Sequence, residues 1–116
     1  MKKPELVELA DGTKCWWVDD KHHRLDGPAI EYTDGSKEWF VNGKRHRIDG
    51  PAVEHSSGSK SWFVNDKLHR LDGPAIELFD GTKCWYIFGE EYKDKELYEV
   101  TSSILFMLFP DLRTDK

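Results

Sequence analysis

Asp34-Gly35-Ser36-Lys37-Glu38-Trp39-Phe40-Val41-Asn42-Gly43-Lys44-Arg45-His46-Arg47-Ile48-Asp49-Gly50-Pro51-Ala52 is one copy of a unit that recurs along most of the chain. Its opening returns as Asp11-Gly12-Thr13-Lys14-Cys15-Trp16, Ser57-Gly58-Ser59-Lys60-Ser61-Trp62 and Asp80-Gly81-Thr82-Lys83-Cys84-Trp85, each step 23 residues long. Its close keeps the same step, as His23-Arg24-Leu25-Asp26-Gly27-Pro28-Ala29 and His69-Arg70-Leu71-Asp72-Gly73-Pro74-Ala75. A fixed period of this size marks a repeat architecture, here a half-unit, three full units and a half-unit that opens at Trp85 and is never completed.

Each unit holds two short strands. Lys37 to Val41 is rich in aromatic and β-branched residues, and Pro51 to His55 begins with proline, which is tolerated at a strand start. Asp-Gly pairs at 34–35 and 80–81 predict tight two-residue hairpins between units. The nine residues from Asn42 to Gly50 predict a connection that starts at Asn-Gly and ends at Asp-Gly-Pro. Counting the terminal halves predicts a mainly β fold, an up-and-down antiparallel meander of about eight strands. An open twisted sheet is favoured over a closed barrel, since no strand is specialised for closure. With two-residue turns, Ile30 faces Trp39 and Ala29 faces Phe40. The Trp ladder then shares a face with Val7, Ile30, Val53 and Ile76, and the opposite face pairs Ala with Trp17, Phe40, Phe63 and Tyr86 beside the glutamates.

The period stops after Tyr92. Leu97, Val100, Ile104, Leu105 and Leu108 then fall on one side of a helix, with Asp94 as N-cap and Pro110 as stop. Two roles suit it: a cap over the end of the sheet, or a surface on which Phe106 and Phe109 are open to a partner or a second copy. The chain thus reads as a single domain over 1–116, with repeats at 5–92 and a helix at 93–109.

Composition narrows the function. The length of 116 residues suits one domain, 38% hydrophobic content is enough to fold it, and five Trp give the aromatics a core or interface role. A net charge of −5 argues against general nucleic-acid or membrane binding, and no apolar run resembles a signal peptide or a span. A cytoplasmic protein with Cys15 and Cys84 reduced is expected, since six strands of an open sheet hold them about 28 Å apart.

With its period and two strands per unit, the run Asp-Gly-Ser-Lys-x-Trp-Phe-Val-Asn-Gly-Lys-x-His resembles the MORN repeat. It is closer still to the divergent His-Arg-x-Asp-Gly-Pro-Ala repeats of uncharacterised bacteriophage and large-virus proteins. The resemblance covers about residues 5 to 92 and implies an elongated antiparallel sheet that serves as a binding scaffold.

The loops gather Lys21, His22, His23 and Arg24, then Lys44, Arg45, His46 and Arg47, then Lys67, His69 and Arg70, spaced about 9 to 10 Å apart by the strand separation. Either each Arg pairs with the Asp two residues on, or the row forms a ridge for an acidic protein surface or a nucleotide-like anion. Histidines at that spacing do not converge on zinc, so no metal or other cofactor is expected. Polar residues copied three times lack the unlike groups of a catalytic site, and the irregular run from His55 to Ser61 has no triad spacing, so no enzyme is expected. The function expected is a non-enzymatic protein-binding module, through the resemblance a phage-encoded inhibitor or modulator of a host defence protein. Its partner is a host protein or a second copy that meets the C-terminal helix. The alternative is sequestration of a small anionic ligand or nucleotide by the cationic loops.

Overall fold

The computed structural model describes residues 2–110. Eight strands form the meander: β1 (Glu5–Glu8), β2 (Lys14–Val18), β4 (Ile30–Glu31), β5 (Lys37–Glu38), β8 (Val53–Glu54), β9 (Lys60–Ser61), β12 (Ile76–Glu77) and β13 (Lys83–Ile87), hydrogen-bonded in that order. The sheet is antiparallel throughout and open, since β1 at one end pairs only with β2. Short strands flank it: β3 (Lys21–His22) pairs with β2, β14 (Glu90–Tyr92) pairs with β13, and β6 (Phe40–Val41) with β7 (Lys44–Arg45) and β10 (Phe63–Val64) with β11 (Lys67–Leu68) form separate two-stranded hairpins. The molecule measures 47 × 36 × 17 Å, the thickness of one layer with its side chains, and among the described residues no large side chain is fully buried.

The two turn families exchange the roles expected of them. Asn42-Gly43 closes the β6–β7 hairpin as a two-residue turn with both residues left-handed, at φ 52° and 80°, so the expected nine-residue connection begins as a hairpin. The same turn recurs at 19–20, 65–66 and 88–89. The Asp-Gly turns instead hold three residues. Tyr32 N–H donates to the Ser36 carbonyl, and Gly35 sits at φ 93° between them. Asp34 Oδ1 accepts from Ser36 N–H at 2.8 Å, an Asx-type bond that draws one more residue into the turn.

That extra residue corrects the expected register. Ile30 faces Glu38, not Trp39, and a slip of one residue moves a side chain to the other face. One face carries the row Val7, Cys15, Ile30, Glu38, Val53, Ser61, Ile76 and Cys84. Trp16, Trp39, Trp62 and Trp85 leave this row for the other face, where they alternate with the alanines and where Ala29, Ala52 and Ala75 have no exposed surface. Beside them runs a ladder of alternating charge, Glu8, Lys14, Glu31, Lys37, Glu54, Lys60, Glu77 and Lys83. Opposite charges across every rung favour this register and disfavour a shift that would oppose like charges.

Helix α1 (Lys95–Leu108) starts at Asp94, whose side chain accepts from the N–H groups of Glu96 and Leu97, and packs against β13 and β14. Of the expected stripe only Leu105 packs against the core, and the helix turns Tyr98 and Ser102 inward beside it. Tyr98 and Ser102 are buried, whereas Leu97, Val100, Ile104 and Leu108 are at least half exposed. The tyrosine decides the orientation. Its hydroxyl lies 2.6 and 2.7 Å from the Arg70 and Gly73 carbonyls and 3.2 Å from Gly73 N–H, a set of directional bonds that an aliphatic stripe cannot make.

Candidate functional site

The repeated loop signature builds a clamp on the Trp face. Arg47 lies over the Trp39 ring, its Cζ 3.8 Å from the centroid, within range for a cation–π contact. Its Nε donates to Asp49 at 3.0 Å, and Nη1 donates to the Pro51 carbonyl and to Glu54, both at 3.0 Å. Gly50 covers the other side of the guanidinium, where a β-carbon would stand only 2.8 Å from Cζ. Arg24 repeats this arrangement with Trp16, Asp26, Pro28, Glu31 and Gly27, and Arg70 repeats it with Trp62, Asp72, Pro74, Glu77 and Gly73. Every side chain of the signature from Arg to Ala has a structural job except the residue between Arg and Asp.

The histidines fasten one unit to the next. Nδ1 of His23, His46 and His69 accepts the backbone N–H of Asn42, Asn65 and Phe88, at 2.9, 3.1 and 2.9 Å. An Nδ1 that accepts carries no proton in that bond. Burial holds the pKa of His69 below its ordinary value, and its ring stacks on Phe88 at 3.9 Å. On the opposite rim Ser36 and Ser59 hydroxyl oxygens accept N–H groups of Ser56 and Phe79, both at 2.9 Å. These are unit-to-unit fastenings and follow the 23-residue period.

The cationic row therefore divides. Arg24, Arg47 and Arg70 are held in clamps. Arg45 belongs to the other face, where its Nε donates to Glu38 at 3.0 Å and its Cζ lies 5.6 Å from both the Phe40 and Phe63 rings. Glu38 also accepts from the Tyr32 hydroxyl at 2.6 Å, and burial together with this bond pushes the Tyr32 pKa up to about 12. Lys21, Lys44 and Lys67 are exposed. His22 is stacked on Trp17 at 3.8 Å, and burial lowers its pKa. The described residues contain no group of three or more His, Cys, Asp or Glu able to hold a metal ion, and no helix long and apolar enough to cross a membrane. Cys15 is buried, and both cysteines are free.

The residue left over in the signature is apolar in all three copies: Leu25, Ile48 and Leu71. Leu71 is 9% exposed because α1 covers it, whereas Leu25 is 62% and Ile48 37% exposed on loops of the same build. Between the first two loops lies an open groove of about 760 Å³, lined by Leu25, Trp39, Val41, His46 and Ile48 with the clamp residues of both loops. Sequence reasoning sought charge on this rim and passed over the apolar residue. Its signal was visible nonetheless, as a large aliphatic side chain at the tip of three polar loops. The two aromatics singled out at the helix end, Phe106 and Phe109, are both exposed, and Phe106 also lines a shallow pocket with Leu71, Ser102 and Met107. A scan of protein-family models and searches of curated proteins and of solved structures found nothing that matches this chain.

Proposed function

We propose that the chain is a non-enzymatic protein-binding module whose docking surface is the loop rim around Leu25 and Ile48. One observation carries this reading: the third loop is covered by the chain's own helix through Leu71, and the first two loops present the same apolar tip uncovered. Clamped arginines give the rim a rigid frame, and rigid frames lower the cost of ordering on binding. An exposed aliphatic tip beside a Trp–Arg stack has the apolar centre and polar rim common to interfaces. The resemblance to repeats of phage and large-virus proteins makes a host protein the partner, met in the host cytoplasm, with inhibition or modulation of a defence protein as the outcome. The exposed stripe of α1, with Phe109 at its end, is a second surface through which two copies could meet.

The test pairs the chain with its Leu25→Asp, Ile48→Asp double variant. Both side chains are exposed, so melting should be nearly unchanged. A host protein held by the parent chain and lost by the variant supports the reading. Equal capture by both, or capture that instead follows Arg45→Glu with Arg47→Ala and falls with salt, overturns it in favour of the cationic ridge.

A further inference from the structure

The groove between the first and second loops is the vacant counterpart of the place where Tyr98 sits. Around Tyr98 stand Leu71, Ile87, Trp85 and Tyr92. The residues two repeats earlier are Leu25, Val41, Trp39 and His46, and all four line the groove. The polar end corresponds as well. The Tyr98 hydroxyl is bonded at the Arg70 carbonyl and at the N–H and carbonyl of Gly73. The matching groups belong to Arg24 and Gly27, which are fixed in the same clamp geometry and receive no such bond from any described residue. The far wall differs: the second loop, with Arg47 to Asp49, closes the first groove, whereas α1, which follows β14, stands beside the third loop.

Resting on the docking surface proposed above, we infer that this groove takes a tyrosine from an amphipathic helix of the partner, in the manner of α1. The ring enters between Leu25 and Val41 beside Trp39, whose face Arg47 covers, and the hydroxyl reaches the Arg24 carbonyl and the Gly27 backbone. A phenol donates its one proton to either of the two carbonyls and accepts from the N–H, which suits this pair of acceptors and one donor at the end of an apolar slot. Phenylalanine would fill the slot but leave those backbone groups without a partner. The site thus selects a hydroxylated aromatic, and the helix supplies it with few rotamers to freeze. A small hydroxyl one turn further on, as Ser102 follows Tyr98 in α1, lets the helix lie close to the loop.

The probe is a synthetic peptide of residues 93–105 and its Tyr98→Phe counterpart, each titrated into the isotope-labelled full chain while backbone amides are followed by NMR. The tyrosine peptide should move the amides of Leu25, Gly27 and Val41 in a saturable manner, and the phenylalanine peptide should bind at least tenfold more weakly. Leu25→Asp in the chain should abolish both. Shifts confined to Gly73 and Leu71 mean that the peptide only displaces α1, and they overturn the assignment. So does equal binding of the two peptides. If Gly27 stays unmoved while the Leu25, Ile48 double variant still loses its captured protein, the tyrosine slot is wrong and the docking surface stands. Saturable binding at Gly27 with no host protein captured overturns the host-protein reading and leaves the slot standing.

Discussion

Replacing Gly50 by alanine separates two opposed physical effects. Gly50 lies outside the left-handed region, and at such a position Gly→Ala ordinarily stabilises by about 0.4–1 kcal/mol by restricting the unfolded chain. Here the new β-carbon would meet Arg47 Cζ at 2.8 Å. Ordinary contact requires a retreat of roughly 0.7 Å. The guanidinium has nowhere to go, because Trp39 lies 3.8 Å away on its other side and Pro51 and Glu54 hold Nη1. Tilting it weakens a cation–π contact of about 0.5–1 kcal/mol. It also strains two charge-assisted bonds, each of roughly 1.5–3 kcal/mol when intact. The Asp49 bond adds little, since that carboxylate is 83% exposed. The net expectation is a loss of about 1–3 kcal/mol, with a fall in Tm of roughly 3–10 °C. Urea and thermal unfolding followed by Trp fluorescence measure it. In an Arg47→Ala background the same Gly50→Ala change should be neutral or stabilising by up to about 1 kcal/mol. A rise in Tm from Gly50→Ala alone would refute the clamp as the reason for the glycine.

Acid should loosen the His69 fastening. His69 is held below its unfolded pKa of about 6.5, so between the folded and unfolded values the unfolded chain binds more protons. Its contribution is complete above about pH 6.5, falls as the pH drops below that value and levels off below the folded pKa. Urea midpoints taken from pH 7.5 to pH 5 should show this decline, and His69→Gln should flatten it. The thiols should react unequally: burial, with Asp11 nearby, raises the pKa of Cys15, so a disulfide reagent should label Cys84 first and equalise the two only in denaturant. Equal rates in the native protein would place Cys15 outside the sheet interior.

The period, the eight-strand meander, its open ends and the Asp94-capped helix were legible in the sequence, because each rests on local chemistry that repeats: strand formers, turn formers and a cap. The Arg–Asp pairing inside each loop was legible as one of two readings for the same reason, its partners being two residues apart. Register was not. It turned on one residue in the Asp-Gly turn, and the Asx bond that admits that residue moves the whole Trp ladder to the other face. The charge ladder stays hidden until that register is known, although its Lys and Glu keep the period. The side of the helix that meets the sheet was equally beyond sequence, because counting apolar residues gives weight to Leu97, Val100 and Ile104 and none to a hydroxyl. Tertiary structure decided it, since only the folded loop brings the Arg70 and Gly73 backbone groups together at one point where Tyr98 can bond them. The sequence by itself determined which units repeat and what each is made of, and the packing of one unit on the next decided which faces those residues share and which apolar loop tips remain uncovered.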